Sequence, residues 1–246
     1  MNLENGWLPS QVEIKGLLRR MELEPSLLRR QIEEQIVELV DLPDAWLEDA
    51  QTVFLAQQEP KPIQAWLDQK GWSIQDLRIH LARPEALRRF SRQRFGPGLE
   101  EQFLTASGGY DVVLYSFLRV RDPGLARELW IRLSEGEITF AEAASSYSEG
   151  PESQRKGLMG PIAIGALEPQ QLREWLHNLR PGELRRPEQL GEWQLLIRLE
   201  QLTPARFDEP MQQHLLQKQM DQFLNERVIQ ILAGDQPEPL HYNQTL

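Results

Sequence analysis

The chain has 246 residues, 40% of them hydrophobic and 26% charged, with no cysteine and a formal net charge of −10. This is the composition of a globular protein large enough for one large or two small domains, and its acidity speaks against nucleic acid, which takes a clustered basic face. Without cysteine there is no disulfide, thiol nucleophile or Cys-zinc site. His80, His177, His214 and His241 stand apart in the chain, so no metal and no other cofactor is expected.

The opening stretch MNLENGWLPSQVEIKG has no basic segment followed by an apolar one. No apolar run approaches the ~20 residues that span a bilayer, so the expectation is a cytoplasmic chain that does not insert into membranes. Up to about residue 106 the pattern is helical. Ser26 is placed to cap a helix with Leu27, Leu28, Ile32, Ile36, Val37 and Val40 on one face, and Asp44 starts a second with Trp46, Leu47 and Phe54. Pro60 and Pro62 break it, and a short helix from Ile63 ends at Gly71. Ser73 caps the next, and Pro84 is expected in the first turn of another, with Leu87 and Phe90 inward. Each helix is amphipathic, which predicts a helical domain over 1–106.

Composition changes at Thr105 to Gly109, where a glycine pair reads as a joint. The run Val112 to Val120 is β-branched and aromatic, hence a strand ended by Pro123-Gly124. Two helices follow, Leu125 to Leu133 and, capped by Thr139, Phe140 to Tyr147. A polar loop closes on Gly157-Leu158-Met159-Gly160. Then come a short strand at 162–164, a helix from Pro169 to Leu179 and a second strong strand from Gly191 to Glu200. The expected class is α+β: a mainly antiparallel sheet over 110–205 with the first and last strands central and helices on one side. A last helix from Phe207, with the stripe Leu216, Met220, Phe223, Leu224, Val228 and Ile231, needs a partner face. The N-terminal helices can supply it, which predicts a sheet domain inserted into an α-helical one. A loose tail would follow over 233–246.

Four motifs in order carry a resemblance: Phe140-Ala-Glu-Ala-Ala144 with Tyr147-Ser148, Gly157-Leu-Met-Gly160, Leu179-Arg-Pro-Gly-Glu-Leu184, and the closing run Trp193 to Glu200. In this order the middle segment resembles the parvulin (rotamase, PpiC-type) peptidyl-prolyl cis-trans isomerases. With its helical flanks the whole chain looks like the chaperone-foldases of the SurA and PrsA type. The resemblance implies isomerase and chaperone activity toward unfolded or proline-containing polypeptides. A homodimer is a further expected state, because an apolar groove on the helical part favours self-association.

Isomerisation breaks no covalent bond. The amide twists over a barrier of ~18–20 kcal/mol, and a catalyst needs an apolar seat for the proline ring, exclusion of water and dipoles suited to the twisted amide. By resemblance, the first-strand polar position falls on Ser116, flanked on the same strand face by Leu114 and Leu118. The loop position falls on Gly150 beside Glu149, and the last-strand position on Leu195. Met159, Leu167 and Leu172 match the proline pocket. The resemblance thus nominates Ser116 as catalytic, and Leu118, Glu149, Met159, Leu167, Leu172 and Leu195 as substrate-binding. Because the usual imidazoles are missing, a peptide-binding scaffold without isomerase activity stands as the alternative. The leucines also suit a plain core, Ser116 a bond to a neighbouring backbone, and Glu149 a solvated loop.

Overall fold

The computed structural model describes residues 11–57 and 63–244, so the break expected at Pro60 and Pro62 lies outside the described residues. The chain divides into two units, residues 1–99 with 208–246, and residues 100–207. In chain order the first contains α1 (Gln11–Arg20), α2 (Glu24–Val40), α3 (Asp44–Ala56), α4 (Ile63–Lys70) and α5 (Ile74–Phe95). The second contains α6 (Leu99–Tyr110), β1 (Val112–Val120), α7 (Pro123–Ser134), α8 (Phe140–Tyr147), β2 (Leu158–Ala163), α9 (Gln170–His177), β3 (Glu188–Leu190) and β4 (Trp193–Thr203). The last helix, α10 (Glu209–Ala233), belongs to the first unit again. A small antiparallel sheet domain is therefore inserted into an α-helical one.

The helical unit is held by one apolar cluster. Ile32, Ile36, Val37 and Val40 of α2 meet Ala82, Ala86 and Phe90 of α5 and Met220, Leu224 and Val228 of α10. Ser73 and Asp76 cap α5 reciprocally, the serine hydroxyl accepting from the Asp76 N–H at 3.2 Å and the carboxylate from the Ser73 N–H at 2.7 Å. Two helices were expected across Pro84, but α5 runs through it. An interior proline costs a helix about 3 kcal/mol, and the burial of Leu77, Ala82, Ala86 and Phe90 along one continuous face outweighs it. Nor does Ser26 cap α2, which starts two residues before it. Glu33 of α2 is buried, with Arg29 and Arg30 at 3.3 and 2.6 Å and Arg83 of α5 at 3.6 Å. The tail expected to be loose is in contact with this unit: Leu240 and Tyr242 pack on its core, and the Gln93 side chain bonds the Asn243 backbone in both directions at 2.9 Å.

In the other unit the sheet order is β2-β1-β4-β3, all antiparallel, with the two most apolar strands central. Helices were expected on one side only, but they cover both faces. Leu118 and Val120 of β1 and Leu196 of β4 pack with Ala126, Leu129, Phe140, Ala143 and Ala144 of α7 and α8. Val113 and Tyr115 of β1 and Leu195, Ile197 and Leu199 of β4 pack with Leu172 and Leu176 of α9. Capping explains the helix starts, since Asp122 accepts from the Gly124 N–H and Thr139 forms a capping box with Glu142. The glycine pair read as a joint lies inside α6. A Cβ on Gly165 would stand 2.8 Å from the Gly109 carbonyl oxygen, and one on Gly108 would stand 3.4 Å from His177. Gly165 thus lets its segment approach the backbone of α6 closely.

Truncating Leu224 to alanine is expected to cost the helical unit about 2–5 kcal/mol in urea unfolding. A loss below about 1 kcal/mol would show that α10 is not an integral part of that core.

Candidate functional site

Alternation along β1 decides which side chains can meet a ligand. From Tyr115 onward the odd positions look toward α9 and the even positions toward α7 and α8, as the two core clusters show. Ser116 and Leu118 therefore lie on the side of α7 and α8. Leu118 is fully buried there, and the Ser116 hydroxyl donates to Glu200. Both nominations are corrected: the opposite phase of β1 is Tyr115, which is buried, with the half-buried Phe117 and Arg119. Pairing skips a residue at this point, Leu114 matching Gln201 and Tyr115 matching Leu199, so Glu200 is the extra residue of a bulge.

Met159, Leu167, Leu172 and Leu195 do come together on the α9 side. Leu167, Leu172 and Leu195 are 4%, 6% and 2% exposed, so they form a closed floor. Met159 is half-buried above them with Phe117, Trp175, Leu190 and Trp193. Together they make an apolar and aromatic cluster whose larger side chains are half-buried. Glu149 joins it indirectly. Its carboxylate accepts from the Arg121 N–H at 2.8 Å and pairs with that guanidinium at 2.9 Å, and Arg121 lies 4.3 Å from the Trp193 ring centre.

The loop after α8 is shaped by a buried ion pair. Ser148 ends α8, and residues Pro151–Arg155 make a 3-10 turn. Within that turn Glu152 is 3% exposed and holds Arg119 through two parallel bonds, Nε to Oε1 at 3.0 Å and Nη2 to Oε2 at 2.8 Å. The Ser148 hydroxyl donates to Glu152 Oε1 at 2.6 Å and accepts from the Arg119 N–H at 3.1 Å. Gly150 has no space for a side chain: a Cβ there would lie 2.3 Å from both Arg119 Nε and Glu152 Oε2. The loop position at which the resemblance puts a polar side chain is therefore filled by this ion pair. Gly157, at φ +76, is also fixed, because a Cβ would meet Ala144 at 2.7 Å and the Phe117 carbonyl oxygen at 2.9 Å.

Burial pushes the Glu152 carboxyl up, but the bonds from Arg119 and Ser148, with the Arg119 charge, more than offset this. The group stays below the ordinary glutamate value. Burial, followed by the Glu152 charge, raises Tyr115. Arg119 lies 5.6 Å from the ring centres of both Phe117 and Trp193. Sequence reasoning missed Phe117, Arg119, Ser148 and Glu152 as site residues. The available signal was Arg119 itself, a lone charge in an apolar strand that demands a counterion.

In the helical unit a cavity of about 350 Å³ opens between α2, α5 and α10. Leu87, Leu216, Met220 and Leu224 line it, with Arg29 and Arg92 at its edge. Among the described residues no cluster of three or more metal-binding side chains occurs, and no helix is long and apolar enough to cross a membrane.

Comparison with known proteins fits this geometry. The family model "Rotamase: PPIC-type PPIASE domain" matches residues 124–201. No curated protein matches. A crystal structure titled peptidylprolyl isomerase (PrsA) from Bacillus cereus is 15% identical, with a TM-score of 0.52, covering 99% of this chain and 94% of that one. The likeness establishes a shared fold. The corresponding protein from Bacillus anthracis is 13% identical, with a TM-score of 0.46, covering 87% of this chain and 100% of that one.

A carboxyl held below its unfolded value contributes stability above about pH 4.5 and loses it as the pH falls through the folded value. Glu152→Gln is therefore expected to be less stable than the wild type at neutral pH, with the gap closing below pH 4.5 in urea titrations. A gap that stays constant down to about pH 3 would refute the ionised pair.

Proposed function

We propose that this chain, whose middle segment is a PPIC-type PPIase domain, works as a foldase on unfolded and proline-containing polypeptides. The sheet unit isomerises X-Pro bonds, and the helical unit holds the client chain. The carrying observation is the face made by Phe117, Met159 and Trp193 over the floor of Leu167, Leu172 and Leu195. An apolar and aromatic seat accepts a proline ring, which has no N–H to satisfy, and excludes water from the bond that twists. The cavity between α2, α5 and α10 supports the holding role, because apolar side chains of a client fit its wall.

A protease-coupled assay on a short X-Pro peptide tests the isomerase part: the full chain is expected to exceed the uncatalysed rate. A charge at the buried floor would unfold the domain, so the informative variant is Met159→Glu, at the half-buried edge. It is expected to fold and to lose about tenfold or more in kcat/KM. A wild-type rate equal to the uncatalysed one, with aggregation of a denatured client still suppressed, would leave a binding scaffold only.

Cytoplasmic residence and a homodimer are the finer parts of the proposal. The exposed Ile14 and Leu17 on α1, Met21 in the turn after it and Leu27 on α2 support self-association. Fractionation of expressing cells and light scattering on the full chain read these out: a non-cytoplasmic chain overturns the first, a monomer at micromolar concentration the second.

A further inference from the structure

A planar prolyl amide spreads its nitrogen lone pair into the carbonyl, and the nitrogen accepts no hydrogen bond. As the bond twists, that delocalisation is lost and the lone pair becomes an acceptor. An N–H donor beside the ring therefore binds the twisted state better than either planar one. The nominated Ser116 cannot supply this donor, because it faces the other side of the sheet and is engaged by Glu200.

One cation stands on the groove face of β1. Arg119 pairs in register with Leu195, and its guanidinium lies between the Phe117 and Trp193 rings at 5.6 Å from each centre. Its side chain is 29% exposed, so it reaches the surface of the groove. Glu152 occupies Nε and Nη2, and among the described residues no partner takes Nη1. The second carboxylate bond and the two flanking rings remove the freedom that a surface arginine normally keeps. Gly150 leaves room for nothing else at this point.

Building on the isomerase reading above, we propose that Arg119 is the catalytic donor, its Nη1–H meeting the prolyl nitrogen as the amide twists. Glu152 and Ser148 act through it as positioning residues. No bond is made or broken and no proton is transferred; a single hydrogen bond exists in the twisted state and not in the planar one.

The test uses the full chain and the X-Pro peptide assay, with folding checked by circular dichroism and thermal melting. Arg119→Gln is expected to lower kcat about tenfold or more while KM stays within about twofold, the signature of a contact made only in the transition state. Arg119→Lys keeps a cation against Glu152 but loses the fixed fork, and should fall between. The double variant Arg119→Gln, Glu152→Gln removes both charges and so leaves none buried alone. It should match Arg119→Gln in rate, because Glu152 acts only through Arg119. It also stands in for the single variant if that one fails to fold. Wild-type turnover with unchanged kcat in any folded variant lacking Arg119 overturns this assignment alone. A change in KM with kcat retained also overturns it, making Arg119 a binding group. A wild-type chain without turnover overturns the isomerase reading, and the donor role with it.

Discussion

Glu152 is a carboxylate placed almost out of reach of water in a loop, where an ion is costly unless every oxygen is engaged. Here the requirement is met by two guanidinium bonds and a serine hydroxyl. The three partners come from three segments: Arg119 from the central strand β1, Ser148 from the end of α8, and Glu152 from the turn after it. The pair thereby fixes the path of the loop over the strand. It accounts for the glycine at 150, and it sets the direction in which the arginine can look. Buried ion pairs of this kind contribute little net stability compared with apolar packing. Their value is in permitting one arrangement, since losing one partner strands the other charge.

The second constraint is the two-sidedness of the sheet. With helices on both faces, both phases of β1 have a core to join, and the strand reads as a nearly continuous apolar run. Such a run does not announce which phase faces the groove. The bulge at Glu200 belongs to the same problem: an extra residue in β4 keeps the odd phase of β1 matched to Leu195, Ile197 and Leu199.

Much of the architecture was legible in the residues. The strands at 112–120 and 193–203, the caps at Ser73 and Thr139, and the apolar stripe of α10 all follow from local chemistry and period. That Met159, Leu167, Leu172 and Leu195 would come together was legible too, for they share one core cluster. What escaped was set by tertiary context. Pro84 reads as the first turn of a new helix, yet the faces of α2 and α10 keep α5 running through it. Gly108 and Gly109 read as a joint, yet both lie inside α6, and the glycine that close approach requires is Gly165, against the Gly109 backbone. Strand β3 is three residues long and has no periodicity to read. Ser116 was nominated by the resemblance, but the strand turns it to the side of α7 and α8, where Glu200 takes its hydroxyl.

The helical unit is discontinuous in the chain, while the sheet unit is one uninterrupted stretch. A ribosome delivers residues in order, so the inserted unit has all of its strands before the last helix exists. Until α10 emerges, the cluster of α2 and α5 around Ile36, Ala86 and Phe90 lacks Met220, Leu224 and Val228. The core of the discontinuous unit can thus be completed only after the insert has been translated, and until then its apolar face lacks its last helix.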